Sequence, residues 1–180
     1  RLNDGSEIIG RVLRSDAARD VALVEIDRSL AGALPLRTGL PNRAETVYAV
    51  GSPDDTGLAG TITRGIVSQV RTDERGLDWI QADVDIHPGS SGGPLLDADG
   101  NVLGIAAWAR VDPGGATRGL NFFVPIGDAL EALGIRLVNL NVVDPIDPNA
   151  DLEVDFDHVR LGAIVVPLPP SLLQMSGAGL

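Results

Sequence analysis

A chain of 180 residues with 44% hydrophobic and 22% charged residues is long enough to bury one compact core plus a small appendage, and too apolar to be disordered throughout. Fourteen basic residues against 25 acidic ones leave a net charge of −11, which lacks the electrostatic footprint for a phosphate backbone, so nucleic acid is not an expected partner. Every basic residue is Arg and there is no Cys. Lys Schiff bases, a P-loop, thiol nucleophiles, disulfides and thiolate metal sites are thereby excluded, and hydroxyl, carboxylate or His chemistry remains.

The chain opens at Arg1 with no Met or leader before it and is expected to be a piece of a longer one. Its 22 Gly and 12 Pro are spread between short runs of Val, Ile and Leu, the pattern of an all-β barrel or sandwich with many turns. In order, the spacing predicts strands over Glu7 to Leu13, Val21 to Ile26, Glu45 to Val50 and Gly60 to Val70, the last broken near Gly65. Further strands are expected over Trp79 to Ala82, Pro94 to Asp97, Val102 to Ala109 and Leu120 to Pro125. Leu96-Asp-Ala-Asp-Gly-Asn101 joins two apolar runs through Asp-Gly and reads as a hairpin turn. It lacks the later Glu and the regular oxygen spacing of a calcium loop. One helix is expected from Asp128, as its cap, to Leu133, with Gly134 ending it. Beyond Arg136 the composition shifts: residues 138–180 hold six acidic residues and only Arg160, placing a boundary near 138. Asp144-Pro-Ile-Asp-Pro148 reads as a linker, and Asp151 to Asp157 alternates acid with apolar residues, as an exposed strand or a cation-binding face does.

The chemistry concentrates in Asp83-Val-Asp-Ile-His-Pro-Gly-Ser-Ser-Gly-Gly-Pro94, which sets a Ser in a glycine-rich turn just before a strand. A nucleophilic Ser needs its hydroxyl projecting from a tight turn whose N–H groups converge on an oxyanion. On this reading Gly89 turns its amide inward, and Gly92 and Gly93 leave room for substrate. Alone, the segment reads equally as an ordinary glycine turn. Upstream, Arg19-Asp20-Val-Ala-Leu-Val-Glu-Ile26 sets a carboxylate at the mouth of an apolar strand. Asp20 is there either a strand-start residue or the acid that holds an imidazole tautomer in a Ser-His-Asp triad.

With these segments the sequence resembles the HtrA/Deg-type branch of the chymotrypsin-fold serine proteases. The resemblance rests on four ordered stretches: Asp4-Gly5 through Ala22-Leu23; Ala49-Val-Gly-Ser-Pro53 with Gly60-Thr-Ile-Thr-Arg-Gly-Ile-Val-Ser68; Ile80-Gln-Ala-Asp83 leading to Gly89-Ser-Ser-Gly-Gly-Pro94; and Gly119-Leu-Asn-Phe-Phe-Val-Pro125. It covers roughly residues 4 to 136. It implies two antiparallel six-stranded barrels with the site between them: residues 1–42 a remainder of the first, incomplete barrel, 43–137 the complete second barrel with its closing helix, and 138–180 an acidic tail. It further implies Ser91 as nucleophile, Asp20 as orienting acid, the N–H groups of Gly89 and Ser91 as oxyanion donors, and Ala107, Trp108 and Ala109 as the strand that pairs with substrate. Asp85 and Ile86 join the substrate-binding set. The activity implied is that of a serine endopeptidase acting on polypeptide outside the cytoplasm, with neither metal nor cofactor.

Three features depart from the family pattern. The family's base is a His some tens of residues before the Asp, whereas only nineteen residues precede Asp20. His87, four residues before Ser91, and His158, in the acidic tail, do not match that position, so this piece is expected to lack a complete triad. Ser90 stands where Asn or Asp is usual before the nucleophile. Asp85, six residues before Ser91, replaces a small apolar residue and is either a determinant of basic P1 residues or a solvated loop carboxylate. At the far end, Val166-Pro-Leu-Pro169 resembles the VPLP variant of bacterial PEP-CTERM sorting signals, or else reads as a Pro-rich linker. A membrane association is expected only if the signal is real. Two other functions fit the residues less closely: a protease-like peptide-binding module, and a surface-anchored structural protein.

Overall fold

A computed structural model describes residues 7–26, 34–52, 60–87, 89–109, 120–137 and 152–154. Six of its strands close an antiparallel barrel. They are β3 (Thr46–Gly51), β4 (Thr61–Thr72), β5 (Asp78–Ala82), β6 (Pro94–Leu96), β7 (Val102–Ala109) and β8 (Asn121–Pro125), joined in the order β3-β4-β5-β8-β7-β6. Before them β1 (Gly10–Asp16) and β2 (Val21–Ile26) form a separate antiparallel pair. After them come α1 (Ile126–Ala132) and a parallel pair of β9 (Ile135–Leu137) with β10 (Leu152–Val154). This is the expected all-β chymotrypsin-like arrangement, with one closed barrel, two small two-stranded sheets and one short helix among the described residues.

Side chains alternate across the barrel wall as the two-residue period of a strand requires. Val47 and Ala49 of β3, Ile80 and Ala82 of β5, Leu103 of β7 and Phe123 of β8 fill the interior. A second apolar cluster lies outside the wall, where Val21 of β2, Trp79 of β5, Ile105 of β7, Val124 of β8 and Ala129 and Leu130 of α1 pack together. Strand β5 is therefore covered on both faces. That explains why Trp79 to Ala82 is buried at every position instead of alternating with solvent.

Several boundaries differ from the sequence expectation for identifiable reasons. The first strand is Gly10–Asp16 and not Glu7 to Leu13, because the tight turn before Val21 sets the register, with Asp16 opposite Val21 and Gly10 opposite Ile26. Strand β4 runs unbroken through Gly65. A Cβ there would lie 2.6 Å from the Val84 amide nitrogen, so the glycine admits the close passage of the chain after β5 and does not end the strand. Asp128 is not the helix cap. Pro125 occupies that position, without a side-chain capping bond, and Asp128 sits in the first turn, where its carboxylate pairs with Arg19. Gly134, at φ +64°, does end the helix. The Asp97-to-Asn101 turn forms, with the Asp97 carboxylate accepting the N–H groups of Asp99 (3.0 Å) and Asn101 (2.9 Å). Of the acidic tail only β10 is described. The linker at 144–148, His158 and the Val166-to-Pro169 motif lie outside the described residues.

The β4–β5 turn anchors Trp79. The Asp73 carboxylate accepts the Leu77 N–H at 3.0 Å, the Trp79 indole N–H at 3.2 Å and the Arg75 guanidinium at 3.1 Å. Hydrogen bonds to the charged form, led by the one from Leu77, hold this carboxyl down at about 2. A folded-state value below the ordinary 3.8 makes the contribution fully present above about pH 4 and lost as pH falls toward 2. Acid titration followed by Trp fluorescence is expected to show this component in the wild type, and Asp73→Asn is expected to remove it.

Candidate active site

The loop from Val84 to Pro94 is held to the barrel from several sides. Asn121, wholly buried, donates from Nδ2 to the Val84 carbonyl at 2.5 Å, and the Thr63 hydroxyl donates to the Asp85 carbonyl at 2.6 Å. The Ser90 N–H donates to the His87 carbonyl (2.9 Å) and the Gly93 N–H to the Ser90 carbonyl (3.0 Å). Gly89 and Gly92 take φ of +91° and +84°, values that L side chains resist. Ser90 lies beneath the turn, 6% exposed, and its Oγ accepts the His87 N–H at 3.3 Å. The residue that departs from the family pattern therefore does pin the turn. Ser91 alone is exposed between buried Ser90 and buried Gly92, and its Oγ donates to the Ala107 carbonyl at 3.4 Å. Among the described residues neither the Gly89 nor the Ser91 N–H has a backbone acceptor.

Gly93 makes room for the protein and not for substrate. A Cβ on it would meet the Val50 carbonyl oxygen and lie 2.9 Å from the Ser90 carbonyl oxygen. Gly51 serves the same loop from the other side, since a Cβ there would lie 2.8 Å from the Ser90 Cβ.

Ala107 lies in a register shift of β7 against β8, between Ala106 and Trp108. Such an irregularity re-aims the backbone, and the Ala107 carbonyl here reaches Ser91 Oγ. On the other side of β7, the ladder with β6 ends at Ile105 and continues only through the bonds joining Ala106 to Gly92 and Gly93. From Ala107 to Ala109 that edge carries no strand among the described residues. Trp108, 45% exposed, stacks on Phe122 with centroids 4.0 Å apart and meets Trp79 edge-on at 6.1 Å.

The remaining expected residues are placed less uniformly. Asp20 ends the β1–β2 turn at φ +57°, a conformation Asp tolerates better than most residues, and is exposed between Arg19 and Val21, which are 4% and 3% exposed. Asp20 is in the β1–β2 pair and Ser91 in the barrel, with no hydrogen bond between them. Asp85 is exposed, but Ile86 is buried in the barrel core, so only its backbone is available to a ligand. These two line a small recess with Thr61, Thr63 and Gly51, separate from Ala107 and Trp108. His87 is exposed, with its main-chain groups used by the turn. No cluster of three or more His, Asp or Glu side chains suited to a metal ion occurs among the described residues. Arg19 and Trp79 were not singled out by sequence reasoning, because one Arg among fourteen and one Trp in an apolar run carry no distinguishing spacing.

Comparison with known proteins agrees with this geometry. The family model for a trypsin-like peptidase domain matches residues 1–105. The serine protease Do-like HtrA of Bacillus subtilis is 35% identical over 142 residues, covering 71% of this chain and 30% of that protein. The chloroplastic Protease Do-like 1 of Arabidopsis thaliana is 31% identical over 183 residues, covering 94% of this chain and 41% of that protein. The solved structure of the HtrA-type protease AlgW with a decapeptide superposes with a TM-score of 0.63 at 35% identity, over 73% of this chain and 41% of that one. This chain thus spans well under half the length of these relatives. Barrel, glycine-rich Ser91 turn and sequence similarity agree, and the chain belongs to the trypsin-like peptidases, in the HtrA/Deg-type branch of the serine proteases.

Proposed function

We propose that the parent protein is a serine endopeptidase that hydrolyses extended polypeptide through an acyl-enzyme on Ser91. The carrying observation is the exposed Ser91 hydroxyl on a turn pinned from beneath by Ser90, with the Gly89 and Ser91 N–H groups left without backbone acceptors among the described residues. In this mechanism Ser91 Oγ bonds to the scissile carbonyl carbon while its proton passes to an imidazole. The two N–H groups hold the oxyanion. Collapse breaks the C–N bond, the imidazolium returns the proton to the leaving amine, and water then hydrolyses the ester by the reverse proton path. Asp20 is the carboxylate that holds the imidazole. The imidazole itself is assigned to the parent protein beyond this chain, since neither His87 nor His158 stands at the family's base position, some tens of residues before Asp20. The open edge of β7 from Ala107 to Ala109 takes the substrate backbone by strand addition, and Asp85 is the side chain assigned a preference for basic P1 residues. The relatives include a protein named "Probable periplasmic serine endoprotease DegP-like" from Pseudomonas fluorescens, which supports an extracytoplasmic site of action.

A fluorophosphonate probe tests the proposal. The full-length parent is expected to label at a single serine, Ser91→Ala is expected to abolish the label, and the 180-residue chain is expected to stay unlabelled. The open β7 edge also favours a second reading, a module that grips extended peptide without cutting it. A parent that binds peptide and resists the probe would establish that reading instead.

A further inference from the structure

Asp20 is exposed, yet the residues on either side of it are almost wholly buried. Val21 enters the apolar cluster between the barrel wall and α1. Arg19 does something more specific. Its guanidinium donates from Nη1 to the Asp78 carbonyl at 2.8 Å, pairs through Nη2 with the Asp128 carboxylate in the first turn of α1, and lies 5.6 Å from the centre of the Trp79 ring. Its own N–H donates to Asp16 Oδ1 at 2.7 Å and closes the β1–β2 turn. One side chain thus fastens the β1–β2 pair to β5 and to α1, elements that share no ladder with that pair.

From Trp79 the contacts continue. Its ring meets Trp108 edge-on, and Trp108 adjoins Ala107, whose carbonyl accepts the Ser91 hydroxyl. Asp20, in the β1–β2 turn, and Ser91, in the turn before β6, are joined through Arg19, Trp79, Trp108 and Ala107. The guanidinium suits this role: its planar fork satisfies a carbonyl and a carboxylate at once while its charge lies over an aromatic ring, which an ammonium cannot match.

We propose that Arg19, together with Asp128, is a positioning residue for the catalytic acid, fixing Asp20 relative to the Ser91 barrel. The inference rests on the reading of Asp20 as the orienting acid of a serine peptidase. It makes hydrolysis sensitive to a contact with neither substrate nor imidazole, because a displacement of about 1 Å in a catalytic group costs on the order of 100-fold in rate.

The test uses the full-length parent, with kcat, KM and the pH profile of kcat/KM measured for Arg19→Met, Arg19→Lys and Asp128→Asn, and Asp20→Asn and Ser91→Ala as references. Arg19→Met is expected to lower kcat roughly 100-fold with KM within about twofold. Arg19→Lys and Asp128→Asn are expected to fall between it and the wild type. The pH profile separates positioning from stability alone: an acid drawn away from the imidazole lowers the apparent pKa of the base, so the acid limb moves to lower pH in the Arg19 variants. Unchanged kcat and profile in the folded variants, with only a lower Tm, would show that Arg19 is purely structural and overturn the proposal. Should Arg19→Met fail to fold, Arg19→Lys and Asp128→Asn decide by the same two readouts. Failure of the underlying reading looks different: Ser91→Ala or Asp20→Asn would then retain wild-type turnover whatever the Arg19 variants do.

Discussion

In the full-length parent, Ser91→Ala is expected to lower kcat on a peptide substrate by roughly 10⁵- to 10⁶-fold while KM changes little, because the hydroxyl forms the covalent bond but contributes almost nothing to holding the peptide. Asp20→Asn is expected to cost less, on the order of 10⁴-fold, since an amide leaves the imidazole in the wrong tautomer without removing the nucleophile. The double variant is the more informative protein. If the two residues act as one unit, Ser91→Ala with Asp20→Asn falls no further than Ser91→Ala alone. Additive losses would mean that Asp20 serves rate by a path independent of Ser91, and the triad assignment would be wrong. The fold supplies the reason to expect a shared path: Ser91 is presented by the glycine turn, and Asp20 is the exposed residue between two buried anchors.

The second large effect is expected at Gly93. Its position cannot accept a Cβ, because the Ser90 carbonyl oxygen lies 2.9 Å from where that atom would sit and the Val50 carbonyl oxygen lies nearer still. Both obstacles are main-chain atoms, so neither can rotate away, and relief requires moving the β3 end or the Ser91 turn itself. Overpacking of this kind costs about 3 kcal/mol. Gly93→Ala is thus expected to lower the urea midpoint at constant slope, and the damage is not confined to stability. The Gly93 N–H donates to the Ser90 carbonyl at 3.0 Å, the bond that closes the turn under Ser91. Opening it shifts the Ser91 hydroxyl and the two N–H donors together, and labelling by a fluorophosphonate is expected to slow about 100-fold in the protein that remains folded. A stable Gly93→Ala variant that labels at the wild-type rate would contradict this account of the turn.

Much of the fold can be read from local sequence. The short apolar runs of Thr46–Gly51 and Val102–Ala109, the Asp-Gly turn before Asn101 and Gly134 after the helix each act within a few residues of themselves, and each appears near its expected place. The candidate nucleophile was legible for the same reason: a Ser among glycines before a strand carries its own geometry. Expectation failed where the deciding partner was distant in sequence. Gly65 looked like a break until Val84 was seen to pass beside it. Asp128 looked like a cap, but its carboxylate is engaged by an arginine 109 positions earlier. Gly93 looked like space for substrate, but the space belongs to the Val50 and Ser90 carbonyls. Composition, period and turn chemistry suffice for the all-β class and the Ser91 turn, because these are properties of a few adjacent residues, whereas the family resemblance is carried by four ordered motifs between Asp4 and Pro125. The link from Asp20 to the barrel that carries Ser91, through Arg19 and Trp79, exists only in the folded chain. A guanidinium, a helix carboxylate and an indole from three separate segments have no shared signature until folding brings them within contact distance.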